Sequence, residues 1–95
     1  MEQYTIDFSG VKTYWFFYNA IIVGLDFPDW CGQNLDAIWD MLIRHMDAPV
    51  TIYVKGIYTL PESLTEKKDL FLKILNRAVN WYAKINQTFI VKIID

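Results

Sequence analysis

Polar and apolar residues alternate from Gln3 to Phe8, with Tyr, Thr and Ile among them, and this period of two predicts an opening strand over 3–8. Ser9-Gly10 ends it. Residues 13–23 then run apolar on nearly every side, and Gly24 follows as a stop, which predicts a helix. Local propensity alone would also let Tyr14-Trp15-Phe16-Phe17-Tyr18 form a strand. Residues 26–33 contain Pro28 and Gly32 and read as a loop. Asn34 suits an N-cap, so a second helix is expected over 34–46, ended by Pro49. Leu35, Trp39, Leu42 and Met46 recur at intervals of four, three and four and mark its expected buried stripe.

A β-branched run over 50–54 predicts a second strand, and 59–63 a turn, with Pro61 near a helix start. The helix over 66–82 places Leu70, Phe71, Ile74, Leu75, Ala78, Trp81 and Tyr82 on one side. A third strand, nearly continuous in Phe, Ile and Val, occupies 88–94. Strands separated by helices pair in parallel through crossovers. The expected fold is therefore α/β, a three-stranded parallel sheet packed by helices, in one domain over 1–95.

Composition changes this picture only in part. An apolar fraction of 54% excludes disorder, because so much buried surface can offset the ordering entropy. A net charge of −2 supplies no overall field to attract nucleic acid, and none is expected as a direct partner. The acidity is local: Asp26, Asp29, Asp36, Asp40 and Asp47 face Arg44 alone, while the remaining residues are net basic. Cys31 is the single cysteine, which forbids an intrachain disulfide and fits a reducing compartment. The Met-Glu-Gln start has no basic n-region, and 14–23 is too short to span a bilayer, so the cytoplasm is the expected location.

On a helix turning roughly 100° per residue, Asp36, Asp40 and Asp47 fall within about 40° of one another, with Ile43 between them. Like charges one turn apart oppose each other, so helix stability gives no reason for the row. Two ordinary accounts stand beside a functional one. Asp36 complements the helix dipole from the first turn, and Asp40 can pair with Arg44. Trp39 alone reads as core, whereas Trp30 lies in a loop between Pro28 and Gly32 and is either a binding aromatic or folded onto the core.

The stretch Pro28-Asp29-Trp30-Cys31-Gly32-Gln33-Asn34-Leu35-Asp36-Ala37-Ile38-Trp39-Asp40-Met41-Leu42 resembles the signature of the barstar family, with Gly-x-Asn-Leu-Asp-Ala as its specific core. Length and element order agree over the whole domain. The resemblance implies an intracellular inhibitor of a basic, secreted-type ribonuclease, whose second helix and preceding loop plug the enzyme active site. By that resemblance Asp40 enters the phosphate-binding pocket, Asp36 faces cationic side chains, and Trp30 stacks on the catalytic region. Gly32, Asn34, Ala37 and Trp39 lie at or behind the same surface, which Leu35, Ile43 and His45 complete. Carboxylates on a rigid scaffold can stand in for phosphate in a cleft of Arg, Lys and His.

The family pattern has another Trp where this chain carries His45, and an acidic contact from the last long helix gives way to Arg77, near Asn76, Asn80 and Trp81. These departures keep a second function open, an immunity or regulatory module for a different basic toxin or nuclease. Catalysis has little support, because the only His lies opposite the carboxylates and Cys31 has no activating base nearby in sequence. A metal held by Asp36, Asp40 and Asp47 would be coordinated from one side only, so neither metal nor cofactor is expected. A monomer is expected. The all-round apolar segment 13–23 is either deeply buried, the favoured reading, or a patch for self-association.

Overall fold

The computed structural model describes residues 2–94. Its elements follow the expected order: β1 Glu2–Asp7, α1 Tyr14–Gly24, α2 Leu35–Arg44, β2 Val50–Lys55, α3 Thr65–Lys84 and β3 Phe89–Ile94, with short 3-10 turns at Ile57–Thr59 and Glu62–Leu64. The strands form one parallel sheet in the order β1-β2-β3, with Tyr4 opposite Ile52 and Ile52 opposite Val91. Neighbours in chain order joined by right-handed crossovers put every connection over the same face. Burial agrees with that rule at most positions: Val50, Ile52 and Val54 of β2 are fully buried, whereas on the opposite face of this central strand Thr51 is buried, Tyr53 half-exposed and Lys55 exposed. One face carries the helices, and the other, with Gln3, Thr5, Lys55 and Lys92, meets solvent.

Three phenylalanines tie the covered layer together. Phe8, just after β1, stacks on Phe17 of α1 at 5.1 Å, and Phe71 of α3 meets both rings edge-on at 6.0 and 6.1 Å. Burying each such side chain stabilises the fold by about 1.5–3 kcal/mol. Thr13 caps α1 through the Phe16 amide. The favoured reading of α1 as wholly buried is corrected by this packing. Phe17, Tyr18, Ile21 and Ile22 are inside, but Tyr14, Trp15, Phe16 and Val23 are exposed, because one sheet edge offers contact to only one side of a helix.

The other expected stripes are also re-phased. In α2 the buried residues are Ile38, Met41 and Leu42, with Leu35 and Trp39 only half-covered, so the core centre is rotated toward Ile38. In α3, Phe71, Leu75, Ala78 and Tyr82 are buried while Leu70 is exposed. β3 is a sheet edge, and its burial falls from Phe89 to the exposed Ile93 and Ile94. No described helix is long and apolar enough to cross a membrane.

Tyr82 joins three elements. Its ring stacks on Phe89 at 5.1 Å, and its hydroxyl donates to the Leu42 and Met46 carbonyls where α2 ends. The Leu42 carbonyl is one of the last-turn acceptors a helix leaves open, and the Met46 carbonyl lies just past the helix. Burial, helped by the charge of Asp47, raises the Tyr82 pKa above its ordinary 10.0. The folded state therefore holds the phenol proton more tightly than the unfolded chain, and the stability gained from it is present below that value and lost as pH rises past it. Tyr82→Phe should cost about 1 kcal/mol near neutrality. The gap between variant and wild type should close above pH of about 10, read from melting temperature against pH.

Candidate protein-binding surface

The loop before α2 is folded tightly onto its first turn. Cys31 donates its amide to the Pro28 carbonyl at 2.9 Å, and Asn34 Oδ1 accepts from the Ala37 amide at 2.8 Å, closing the N-terminus of α2. Between them lies Gly32. A Cβ there would stand 3.0 Å from Asn34 Nδ2 and 3.1 Å from Ala37 Cβ, so space, not backbone dihedral, calls for glycine. The Cys31 thiol is buried, its Sγ donating to the Gly32 carbonyl at 3.6 Å, and burial pushes its pKa up, which suppresses thiolate chemistry. Trp30, its neighbour, is 78% exposed, which removes the alternative of a tryptophan folded onto the core.

On α2 itself, Asp36 and Asp40 are exposed one turn apart. Asp40 accepts from Arg44 Nε at 2.8 Å, but with both side chains more than half exposed this pair contributes little to stability. The carboxylate row is shorter than the sequence suggests. The helix ends at Arg44, where the His45 amide caps the Met41 carbonyl, so Asp47 lies beyond it. Among the described residues no three His, Cys, Asp or Glu side chains gather as metal ligands do. The His45 ring meets the Phe27 ring edge-on at 5.9 Å, at the base of the loop and away from the row. On the other flank Trp39 lies half-buried beneath Arg77, whose guanidinium is 4.2 Å from the ring centre, and Ile43 lines the cleft beside it.

A family model described as Barstar (barnase inhibitor) matches residues 1–94. The chain belongs to the Barstar family. It is also 39% identical over 54 residues to the protein named "Putative ribonuclease inhibitor YrdF" from Bacillus subtilis (strain 168), a match covering 57% of this chain and 59% of that relative. The three-stranded parallel sheet with its helices on one face accords with a barstar-like fold.

Of the residues singled out from sequence, α2 carries Leu35, Asp36, Ala37, Trp39, Asp40 and Ile43, the loop supplies Trp30 and Gly32, and Asn34 and His45 cap the helix ends. The contribution of α3 is larger than the Barstar-type motif discloses. Lys73, Arg77, Asn80 and Lys84, at intervals of four, three and four, face Trp39 and Ile43. That spacing is a helical stripe visible in the sequence, though charge periodicity on a surface helix has no motif to single it out.

Gly32→Ala should force the loop from α2 and break the Asn34 cap. We expect a lowered melting temperature, equivalent to about 0.5–2 kcal/mol as for a lost cap, with Asn34→Ala showing a loss of the same order.

Proposed function

We propose that this chain inhibits a basic ribonuclease by presenting α2 and its preceding loop to the enzyme active site, with Asp40 and Asp36 in place of substrate phosphates. The observation that carries the reading is a pair of exposed carboxylates on a capped helix, next to an exposed loop tryptophan, in a chain of the Barstar family. The name of the Bacillus relative, a ribonuclease inhibitor, supports it.

The physical logic is complementarity. A nuclease that grips phosphate with Arg, Lys and His presents a cationic cleft, and carboxylates held on a helix reach it without first ordering a loop. In that cleft Asp40 exchanges its exposed Arg44 partner for enzyme cations, a small sacrifice because the internal pair is weak in water. Opposite charges on the two surfaces steer the encounter. Trp30 adds apolar contact beside the charged centre, where large aromatics contribute most. The chain acts by binding alone, in the cytoplasm.

His45 and Arg77 favour a second reading, a different basic toxin or nuclease as target. His45 packs on Phe27 and Arg77 places a cation beside the acidic row.

The test is inhibition of a barnase-type ribonuclease by the purified protein. Asp40→Ala should lose about 2–5 kcal/mol of binding. Its melting temperature should stay within the change expected for about 0.5 kcal/mol, since only an exposed ion pair is removed. Full inhibition by Asp40→Ala would overturn phosphate mimicry. No inhibition by wild type would move the target to another basic protein.

A further inference from the structure

On the α3 side of Trp39 the surface changes sign. Past Asp69, α3 carries no acid, and Lys73, Arg77 and Lys84 all face the cleft it forms with α2. Among the described residues none of the three has a carboxylate partner; the ion pairs lie at Asp40–Arg44 and Lys68–Asp69. The three cations stand four and seven positions apart on an exposed surface, where water and salt screen their mutual repulsion, and they leave the cleft open to an anionic ligand. The cleft holds about 530 Å³, room for a nucleotide-sized group.

Its remaining walls narrow the choice of anion. Arg77 lies over Trp39, its guanidinium carbon 4.2 Å from the ring centre, and makes no ion pair there. Trp81, half-buried, supplies a second aromatic, and Asn76 and Asn80 supply amide donors and acceptors one turn apart. An acidic peptide could meet the cations and the amides, but its carboxylate side chains bring no flat ring to the aromatic walls. A single-stranded nucleic acid uses all three, with phosphates on Lys and Arg, bases on aromatic or guanidinium planes, and base edges on amides. We propose that the α2–α3 cleft binds a short segment of single-stranded nucleic acid.

The whole-chain charge of −2 provides no long-range attraction, so the binding is weak, short-ranged and salt-sensitive. Trp39 and Ile43 belong to this cleft and to the surface proposed to face the ribonuclease, so strand and enzyme exclude each other. That exclusion rests on the proposed inhibitory function; the binding itself does not.

The experiment is fluorescence anisotropy of a labelled uridine oligonucleotide of about ten residues, titrated with the full chain at low salt. Saturable binding is expected, with a log–log salt slope of about −2 for three cations on a single strand. Lys73→Glu with Arg77→Glu should weaken it at least about tenfold and flatten that slope. Both side chains are exposed, and a cooperative melting transition, lowered only by the loss of the Arg77–Trp39 contact, will show the variant folded. Asp40→Asn should bind as well as wild type or better, which separates this cleft from the inhibitory contact. A deoxyuridine oligonucleotide that binds equally marks a site for either sugar; one that fails marks a site that reads the ribose. Both results support the proposal. No anisotropy change up to about 1 mM protein, above the range of non-specific binding, would overturn it. So would indifference to the double charge reversal, or equal displacement by polyglutamate or by inorganic phosphate alone.

Discussion

Three parallel strands laid side by side in chain order leave the connecting helices only one face to cover. Everything else in this domain follows from sharing that face. α1 packs on β1, α3 on β3 and α2 on α3, so each can bury one stripe and must leave its opposite side in water. The packing is close. A Cβ on Gly24 would lie 2.7 Å from the Thr5 carbonyl oxygen, so the last turn of α1 rests on the backbone of β1. α3 reaches across the layer and fastens it, through Phe71 to the aromatic trio and through Tyr82 to the end of α2.

How far the sequence discloses this depends on whether a signal is local. Element order, the parallel sheet and the Asn34 cap are local or follow from connectivity, and they are readable from residue types alone. The phase of α1 is not. Where nearly every position is apolar, periodicity has nothing to contrast, and which residues are buried is decided by Phe8 and Phe71 from other elements. The end of α2 also carries a contact from afar: the Tyr82 hydroxyl, forty positions along the chain, donates to the Leu42 carbonyl near where the helix stops at Arg44, short of Asp47.

The proposed binding surface divides the same way. Trp30, Gly32, Asp36 and Asp40 sit in one short segment whose motif is recognisable by itself. The neighbouring cations come from a helix more than thirty residues away and join them only through the fold, with Trp39 as the shared wall. A surface carrying acid on one side of a tryptophan and base on the other can treat its ligands differently according to their charge and the register in which they dock.

A last consequence concerns descent. Trp30, Asp36, Asp40 and Lys73 are exposed, Arg77 lies on the outside over Trp39, and none belongs to the buried core. Replacing any of them changes what the surface meets while leaving the packed layer untouched. The one-sided sheet thus separates heritable stability from heritable specificity, and a lineage can exchange its partner by accumulating surface substitutions on an unaltered scaffold.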